Sequence, residues 1–315
     1  MSCSDYPALA VLGPTGSDKT RLSMALALRF GGEIVSCDAL QVYRGMDIGT
    51  AKASPAERAA VPHYLLNLRE PGENFSAGDY MRLGRLALGA ISERDRIPLV
   101  AGGTGFYFRA LVDGLFQGPG RSEGVRARLR RIVERRGSAS LHRVLGRVDP
   151  EAARRIAPGD AARVLRACEV WFVSGRPLTW WQQQPCDSLS GYRWLKLGIA
   201  WPRPALYERI DARVVEMFDR GFVEEVRALL SRYPRDCHAF KAIGYRQVAR
   251  HLDGEISLAE AIHEMQKESR HYAKRQLTWF RSLPDIRWLD AARGWTEVEA
   301  EALNLAGSHL DNVVF

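Results

Sequence analysis

No run of apolar residues in this 315-residue chain approaches the roughly twenty needed to cross a bilayer, so the sequence offers no membrane-spanning helix. The five cysteines, Cys3, Cys37, Cys168, Cys186 and Cys237, are scattered, with no C-x-x-C pair. That argues against a zinc module and against a disulfide framework, and it fits a reducing compartment. Residues Met1 to Leu12 lack the charged-then-apolar layout of a secretory leader, so a cytoplasmic protein without a membrane partner is expected. Internal repeats and low-complexity segments are also missing. What is present is a 46% hydrophobic composition, enough to bury a full core in two domains or in one domain with an insertion. The formal charge of +8 fits nucleic acid or another polyanion as partner, without choosing between them.

The most informative junction follows the apolar run Ala8 to Leu12, where Gly13-Pro14-Thr15-Gly16-Ser17-Asp18-Lys19-Thr20 leads into a helix from Arg21 to Phe30. A buried strand, a Gly-rich turn and a Lys-Thr helix start make a phosphate-binding loop. Backbone N–H groups point at anionic oxygens, the lysine supplies a mobile charge, and the threonine hydroxyl can hold magnesium. The pattern G-x-x-x-x-G-K-[ST] is met at every fixed position but one, because Asp18 stands where the second glycine belongs. A Cβ and a negative charge beside an anion weaken the site unless neighbours compensate, and Asp18 can compete for Lys19.

Glu33 to Asp38 reads as a second strand ending in a carboxylate, Ser76 to Ser92 as a helix, and Ile97 to Ala101 as a third strand running into Gly102-Gly103-Thr104-Gly105. Trp194 to Ala200 reads as a fourth strand ending at Trp201-Pro202. This alternation predicts an α/β fold, a P-loop NTPase-like parallel sheet flanked by helices, with ligands at the carboxyl ends of the strands. Gly13 to Thr20, Asp38 and Thr104 all follow strand ends and should meet in one crevice. The stretch 118–192 has no strong strand signal and is dense in arginine. A solvated helix surface and a polyanion-gripping lobe both explain it. The expected organisation is a catalytic core of residues 1–117 and 193–315 around a mainly helical, Arg-rich insertion at 118–192.

The last third reads as helical. Asp211 to Arg232 breaks at Gly221, and a capping box of Ser257 and Glu260 opens a long helix. Leu258, Ile262, Met265, Ala273, Leu277 and Phe280 mark its apolar stripe. Lys267, Arg270 or His271, Lys274 and Arg281 form a basic stripe on another face, either solvated or phosphate-contacting. From the residues alone, Asp38 could coordinate magnesium through water, cap the following turn, or act as a base.

The segment Ser36 to Lys52, with its Asp47-Ile48-Gly49-Thr50-Ala51-Lys52 core, decides among these by resemblance. Together with Gly13 to Thr20, Ala101 to Tyr107, Ile243 to Gln247 and Ala273 to Arg281, it closely resembles the tRNA dimethylallyltransferase (tRNA isopentenyltransferase, IPP transferase) family over about residues 8–290. The resemblance implies transfer of a dimethylallyl group from dimethylallyl diphosphate to N6 of the adenosine just 3′ of the anticodon, with release of diphosphate and with Mg2+ present. It matches Asp38 to the base that takes a proton from the adenine amine, a group that attacks poorly until that proton leaves. Thr104 matches the residue of the reaction channel. Lys19, Thr20 through magnesium (with Thr104 as a second candidate) and Arg213 would stabilise charge on the departing diphosphate, with Arg209, one turn away, as the alternative to Arg213.

The same resemblance places Asp38, Ala39, Leu40 and Gln41 at the extruded base, Gln41 being suited to its Watson–Crick edge. It matches Arg126, the segment Ala162-Arg163-Val164-Leu165-Arg166, and Lys241-Ala242-Ile243-Gly244-Tyr245-Arg246 to regions that hold the anticodon stem-loop, and Lys274 and Arg281 extend the ridge. A monomer is expected. Two departures stand out: Asp18 in the loop, and Ala39 where the family has serine. Two rivals share the loop: a small-molecule P-loop kinase, and a tRNA-binding protein whose transfer activity Asp18 has weakened.

Overall fold

The computed structural model describes residues 5–311, so Cys3 lies outside the described residues. In chain order, β1 (Tyr6–Leu12), α1 (Lys19–Phe30), β2 (Gly32–Cys37), α2 (Pro55–Ala60), β3 (His63–Tyr64), α3 (Ala77–Ser92), β4 (Ile97–Gly102) and α4 (Gly105–Asp113) come first. A helical stretch follows: α5 (Glu123–Arg136), α6 (Ser138–Val148), α7 (Pro150–Arg155), α8 (Ala161–Ser174) and α9 (Leu178–Gln182). The chain then runs through β5 (Tyr192–Ala200), α10 (Arg203–Asp219), α11 (Phe222–Leu230), α12 (Tyr245–Leu252), α13 (Leu258–Arg281), β6 (Ile286–Asp290) and α14 (Trp295–Asp311). Two compact units result: Asp113–Ser188, and the remainder on either side of it.

In the larger unit a single six-stranded sheet has the order β3-β2-β4-β1-β5-β6, every neighbouring pair parallel. Ala8 to Leu12 are at most 1% exposed, as a central strand covered on both faces requires. One layer packs α1 and α14 on Leu9, Val11, Leu99 and Ile199, and the opposite layer packs α3, α4 and Phe280 of α13 on Ala10, Leu12, Val35 and Val100. Register then positions the site. Leu12 and Cys37 both align with Gly102, so the chains leaving β1, β2 and β4 emerge level with one another. A Cβ on Gly102 would lie 2.1 Å from the Cys37 carbonyl oxygen, which forces glycine at this exit. Because β1 lies between β4 and β5, the crossovers depart to both sides of it, the arrangement that opens a crevice at the strand ends.

Three expectations need amendment. The sheet has two more strands, β3 and β6, at its two edges; β3 is two residues long, and only Leu289 of β6 is fully buried, so neither carries a strong apolar signature. The helix expected from Asp211 starts at Arg203, with Pro204 in its first turn, where a missing N–H costs nothing. Leu258, assigned to the apolar stripe of α13, is 40% exposed in the first turn. The satellite core at this end consists of Val42, Met46, Val214, Phe222, Tyr245 and Met265 among others, joining the segment after β2 to α10–α13.

The unit Asp113–Ser188 has its own core of Leu129, Leu141, Leu145, Val164, Ala167, Cys168 and Leu178. Its fourteen arginines and no lysine stand against eight carboxylates, a net +6 of the chain's formal +8.

Candidate active site

The turn after β1 is tied from three sides. Ser17 Oγ donates to the Pro14 carbonyl at 2.8 Å, and Trp201 Nε1, just past β5, donates to the Ser17 carbonyl at 3.4 Å. From α13, Gln276 accepts the Thr15 N–H through Oε1 at 2.9 Å and donates Nε2 to the Gly103 carbonyl at 2.8 Å. One buried amide thus fastens the turn after β1 to the turn after β4. Gly16 has φ +78° and backs onto Ile210, whose Cγ1 lies 2.8 Å from where a Cβ would sit. Asp18 is the N-cap position of α1 with φ +65°, the left-handed conformation glycine adopts freely, and its carboxylate makes no capping bond. It does not capture Lys19. Its partner is Arg209 of α10, whose Nε also donates to the Gly16 carbonyl at 3.1 Å and whose guanidinium lies 4.3 Å from the Trp201 ring centre.

Lys19 Nζ donates to the Pro14 carbonyl at 2.6 Å and makes no ion pair among the described residues. Burial and the charge of Arg213 bring its pKa down to about 7, with Asp38 and Asp18 pulling the other way. Arg213, one turn beyond Arg209 on α10, has no hydrogen bond or ion pair among the described residues. Burial lowers its pKa as well, against the pull of Asp38 and Asp18. Two half-buried cations that repel one another make this a place where a bound anion would be stabilised. Thr20 is exposed in the first turn of α1. No group of three or more His, Cys, Asp or Glu side chains suited to a metal occurs among the described residues. A magnesium ion here would therefore rely on ligand phosphate, water and a hydroxyl such as that of Thr20, a donor set magnesium tolerates and most transition metals do not.

Asp38 follows β2 directly. Its Oδ1 accepts the N–H groups of Leu40 at 2.8 Å and Gln41 at 3.3 Å, while Oδ2 has no hydrogen-bond partner among the described residues. Thr104, after β4, donates its N–H to the Cys37 carbonyl at 3.1 Å and accepts the Ala39 N–H through Oγ1 at 3.1 Å. The strand-end residues expected to converge do so. Beside them stand residues that local patterns miss. Tyr272 of α13 lies near Thr104 and Asp38, and burial together with the Asp38 charge pushes its pKa up to about 12. Burial raises the Cys37 thiol to about 12 too, so it is no nucleophile. Gln41 is engaged: Ser36 Oγ donates to its Oε1 at 2.9 Å, and its Nε2 faces the carbonyls of Thr50 and Ala51 at 3.3 and 3.4 Å. Its amide edge therefore holds the loop.

That loop carries the Asp47-to-Lys52 signature, and its chemistry is structural. Glu225 of α11 accepts the N–H groups of Asp47, Ile48 and Gly49 at 3.0, 2.6 and 3.2 Å, and the Tyr245 hydroxyl at 2.6 Å. A Cβ on Gly49 would lie 2.2 Å from the Phe222 ring. Lys52 donates to the Tyr43 carbonyl, Asp47 Oδ1 and Asn67 Oδ1, each at 2.7 Å.

The residues matched to RNA contacts sort by availability. Lys241, Lys274 and Arg281 are exposed and make no ion pair among the described residues. Arg246 is exposed but held by both carboxylate oxygens of Glu268 at 2.6 Å. Tyr245 is buried, Gly244 adopts φ +89° against Met265 and Phe222, and Ala242 and Ile243 are half-buried. In the smaller unit, Arg126 and Arg166 share the fully buried Glu169 at 2.8 and 3.1 Å, and the Ser122 N–H completes the cluster at 2.9 Å. Hydrogen bonds from these groups keep the Glu169 pKa below its usual value despite burial. Ala162 and Arg163 are exposed on α8, whereas Val164 and Leu165 turn into the core.

The IPP transferase family model matches residues 41–283 of this chain. Over 302 residues the chain is 48% identical to the tRNA dimethylallyltransferase of Koribacter versatilis, covering 96% of this chain and 98% of the relative. The enzyme of the same name from Geobacillus thermodenitrificans is 45% identical over 283 residues, 90% of each chain. Among solved structures, the full-length tRNA isopentenylpyrophosphate transferase of Bacillus halodurans superposes with a TM-score of 0.72 at 37% identity, covering 98% of this chain and 97% of that one. A eukaryotic dimethylallyltransferase described as acting on tRNA gives a TM-score of 0.81 at 26% identity, over 98% and 80% of the two chains.

Proposed function

The chain belongs to the IPP transferase family, and we propose that it transfers a dimethylallyl group from dimethylallyl diphosphate to N6 of the adenosine 3′-adjacent to the anticodon in tRNA, giving N6-isopentenyladenosine and diphosphate. The observation that carries this reading is the pair of desolvated cations, Lys19 and Arg213, beside a carboxylate with one oxygen fixed and one free. A prenyl diphosphate needs positive charge where its leaving group departs, and an adenine amine needs a base where its proton departs.

In this reading, backbone N–H groups of Gly13 to Thr20, with Lys19 and Arg213, hold the diphosphate, and Arg213 is the contact residue because Arg209 is occupied by Asp18. Asp38 Oδ1 is fixed by the Leu40 and Gln41 N–H groups, leaving Oδ2 to accept the amine proton as the new C–N bond forms and the carbon–oxygen bond to diphosphate breaks. Thr104 orients the Asp38–Ala39 turn and lines the channel. Magnesium, when bound through Thr20 and phosphate oxygens, supplies further charge to the leaving group. Lys241, Lys274 and Arg281 meet the anticodon stem-loop through phosphates, and the α8 segment Ala162 to Arg166 with Arg126 adds contacts from the arginine-rich unit. The protein acts as a cytoplasmic monomer.

Unmodified tRNA, labelled dimethylallyl diphosphate and magnesium test the reading directly. Label should appear on tRNA, and Asp38→Ala should lower turnover by about 10²- to 10⁴-fold while tRNA binding persists. Phosphate transfer from ATP to a small acceptor, or tRNA binding with no label transferred, would overturn it.

A further inference from the structure

The aspartate in the phosphate loop is not a blemish left alone. We propose that Asp18 and Arg209 form a charge-neutral latch that replaces the missing glycine and seats Arg213 against Lys19, which makes Arg209 a positioning residue of the diphosphate site. The inference rests on the reading of Gly13 to Thr20 as that site.

The Arg209 guanidinium makes three separate contacts with the loop and its surroundings. It pairs with the Asp18 carboxylate, donates Nε to the Gly16 carbonyl at 3.1 Å, and lies over the Trp201 ring, 4.3 Å from its centre. Trp201 is itself bonded to the Ser17 carbonyl at 3.4 Å. The carbonyl oxygens of Gly16 and Ser17 are thus both satisfied from β5 and α10. Ile210, the next residue on α10, fills the space at Gly16 that any Cβ would need. A planar fork with several fixed donors suits this task, and a lysine could meet only part of it.

Two consequences follow. Unpaired, Asp18 would place a negative charge one residue from Lys19, beside the bound anion; paired, it presents almost none. Arg213 is four residues from Arg209, so it projects from the same face of α10 one turn further on. Fastening Arg209 to the loop therefore fixes the rotation of the helix that carries Arg213. The same pair ties down Asp18, whose backbone has the left-handed conformation that glycine adopts more readily than aspartate.

A double-mutant cycle read by calorimetric binding of inorganic diphosphate with magnesium tests this. Arg209→Gln should weaken diphosphate binding by about tenfold or more when Asp18 is present, and by less than about threefold in the Asp18→Gly background. Arg209→Lys, which keeps the charge and loses the fork, should fall between. Thermal melting of each variant shows whether it folds, so that loss of structure is not read as loss of affinity. An equal effect of Arg209→Gln in both backgrounds would make Arg209 a direct diphosphate contact or a scaffold residue and sink the latch. Diphosphate binding by the unaltered chain with no coupling removes the latch alone. No binding by the unaltered chain removes the diphosphate reading and the latch with it.

Discussion

Two lysines in the larger unit sit in motif-bearing loops, and their surroundings differ sharply. Lys52 spends all three ammonium protons at 2.7 Å, on the Tyr43 carbonyl, Asp47 and Asn67. Among the described residues Lys19 has the Pro14 carbonyl as its single hydrogen-bond partner and Arg213 as a repulsive neighbour. Burial lowers the pKa of both. All three ammonium protons of Lys52 are taken, whereas Lys19 has one hydrogen bond among the described residues and feels Asp38 and Asp18 only from beyond ion-pair distance. A distinctive sequence signature therefore does not by itself mark a ligand contact: the Asp47-to-Lys52 run is a knot bonded by Glu225, while the flawed glycine-rich loop holds the unsatisfied charge.

The largest effect that would test this contrast is on stability. Lys52→Met strands the buried Tyr43 carbonyl and the half-buried Asn67 amide oxygen and frees the exposed Asp47, and should cost about 3 kcal/mol in chemical denaturation. Lys19→Met should shift stability the other way, by about 1–2 kcal/mol, because it removes an uncompensated charge from a site built for function. The pH dependence fixes the sign. Lys19 in the folded chain titrates near 7, below the 10.5 of a free lysine, so its protonation opposes folding in full below about pH 7. That penalty shrinks as pH rises from 7 towards 10.5, and the gain from Lys19→Met should shrink with it. Destabilisation by Lys19→Met at pH 6 would refute the assignment of an unpaired cation.

A smaller and sharper test is the pH dependence of diphosphate binding. Only protonated Lys19 attracts the anion, so affinity should decline as pH passes upward through about 7, with proton uptake on binding above that pH. Lys19→Arg stays charged throughout and serves as the control in which the ligand's own titration is all that remains. Matching profiles for the two proteins would mean that Lys19 does not titrate in this range.

How much of this was legible beforehand depended on distance along the chain. The glycine-rich turn between β1 and α1, α1 itself, the Ser257–Glu260 capping box and the parallel sheet follow from local spacing, and all are found. The edge strands β3 and β6 were missed because two residues, or five with one fully buried, carry too little apolar pattern. Gln276 and Tyr272 were missed for another reason, and Arg209 was named only as the alternative to Arg213, without Asp18 as its partner. Gln276 reaches Thr15 across 261 residues and Arg209 reaches Asp18 across 191, and no periodicity within one element encodes such a meeting. The hydrogen bonds of Gln41 were not legible either, because only the fold brings Ser36, Thr50 and Ala51 around its amide.

The same distinction between paired and free charge gives the weakest predicted effect, on the exposed cations of α12 and α13 that we propose meet tRNA. Arg246 and Lys274 are both exposed and basic, and from sequence they are equivalent. In the structure Glu268 takes Arg246 with both oxygens, whereas Lys274 has no carboxylate within ion-pair distance among the described residues. A cation already neutralised within the protein releases few counterions from the nucleic acid. Lys274→Ala should therefore reduce the slope of log affinity for tRNA against log salt by about 0.7–0.9, and Arg246→Ala by clearly less. Glu268→Gln should then steepen the slope, because it frees Arg246 to meet a phosphate. If Arg246→Ala flattens the slope as much as Lys274→Ala does, the Glu268 pair opens on binding, and pairing in the free protein is no guide to which cations the RNA uses.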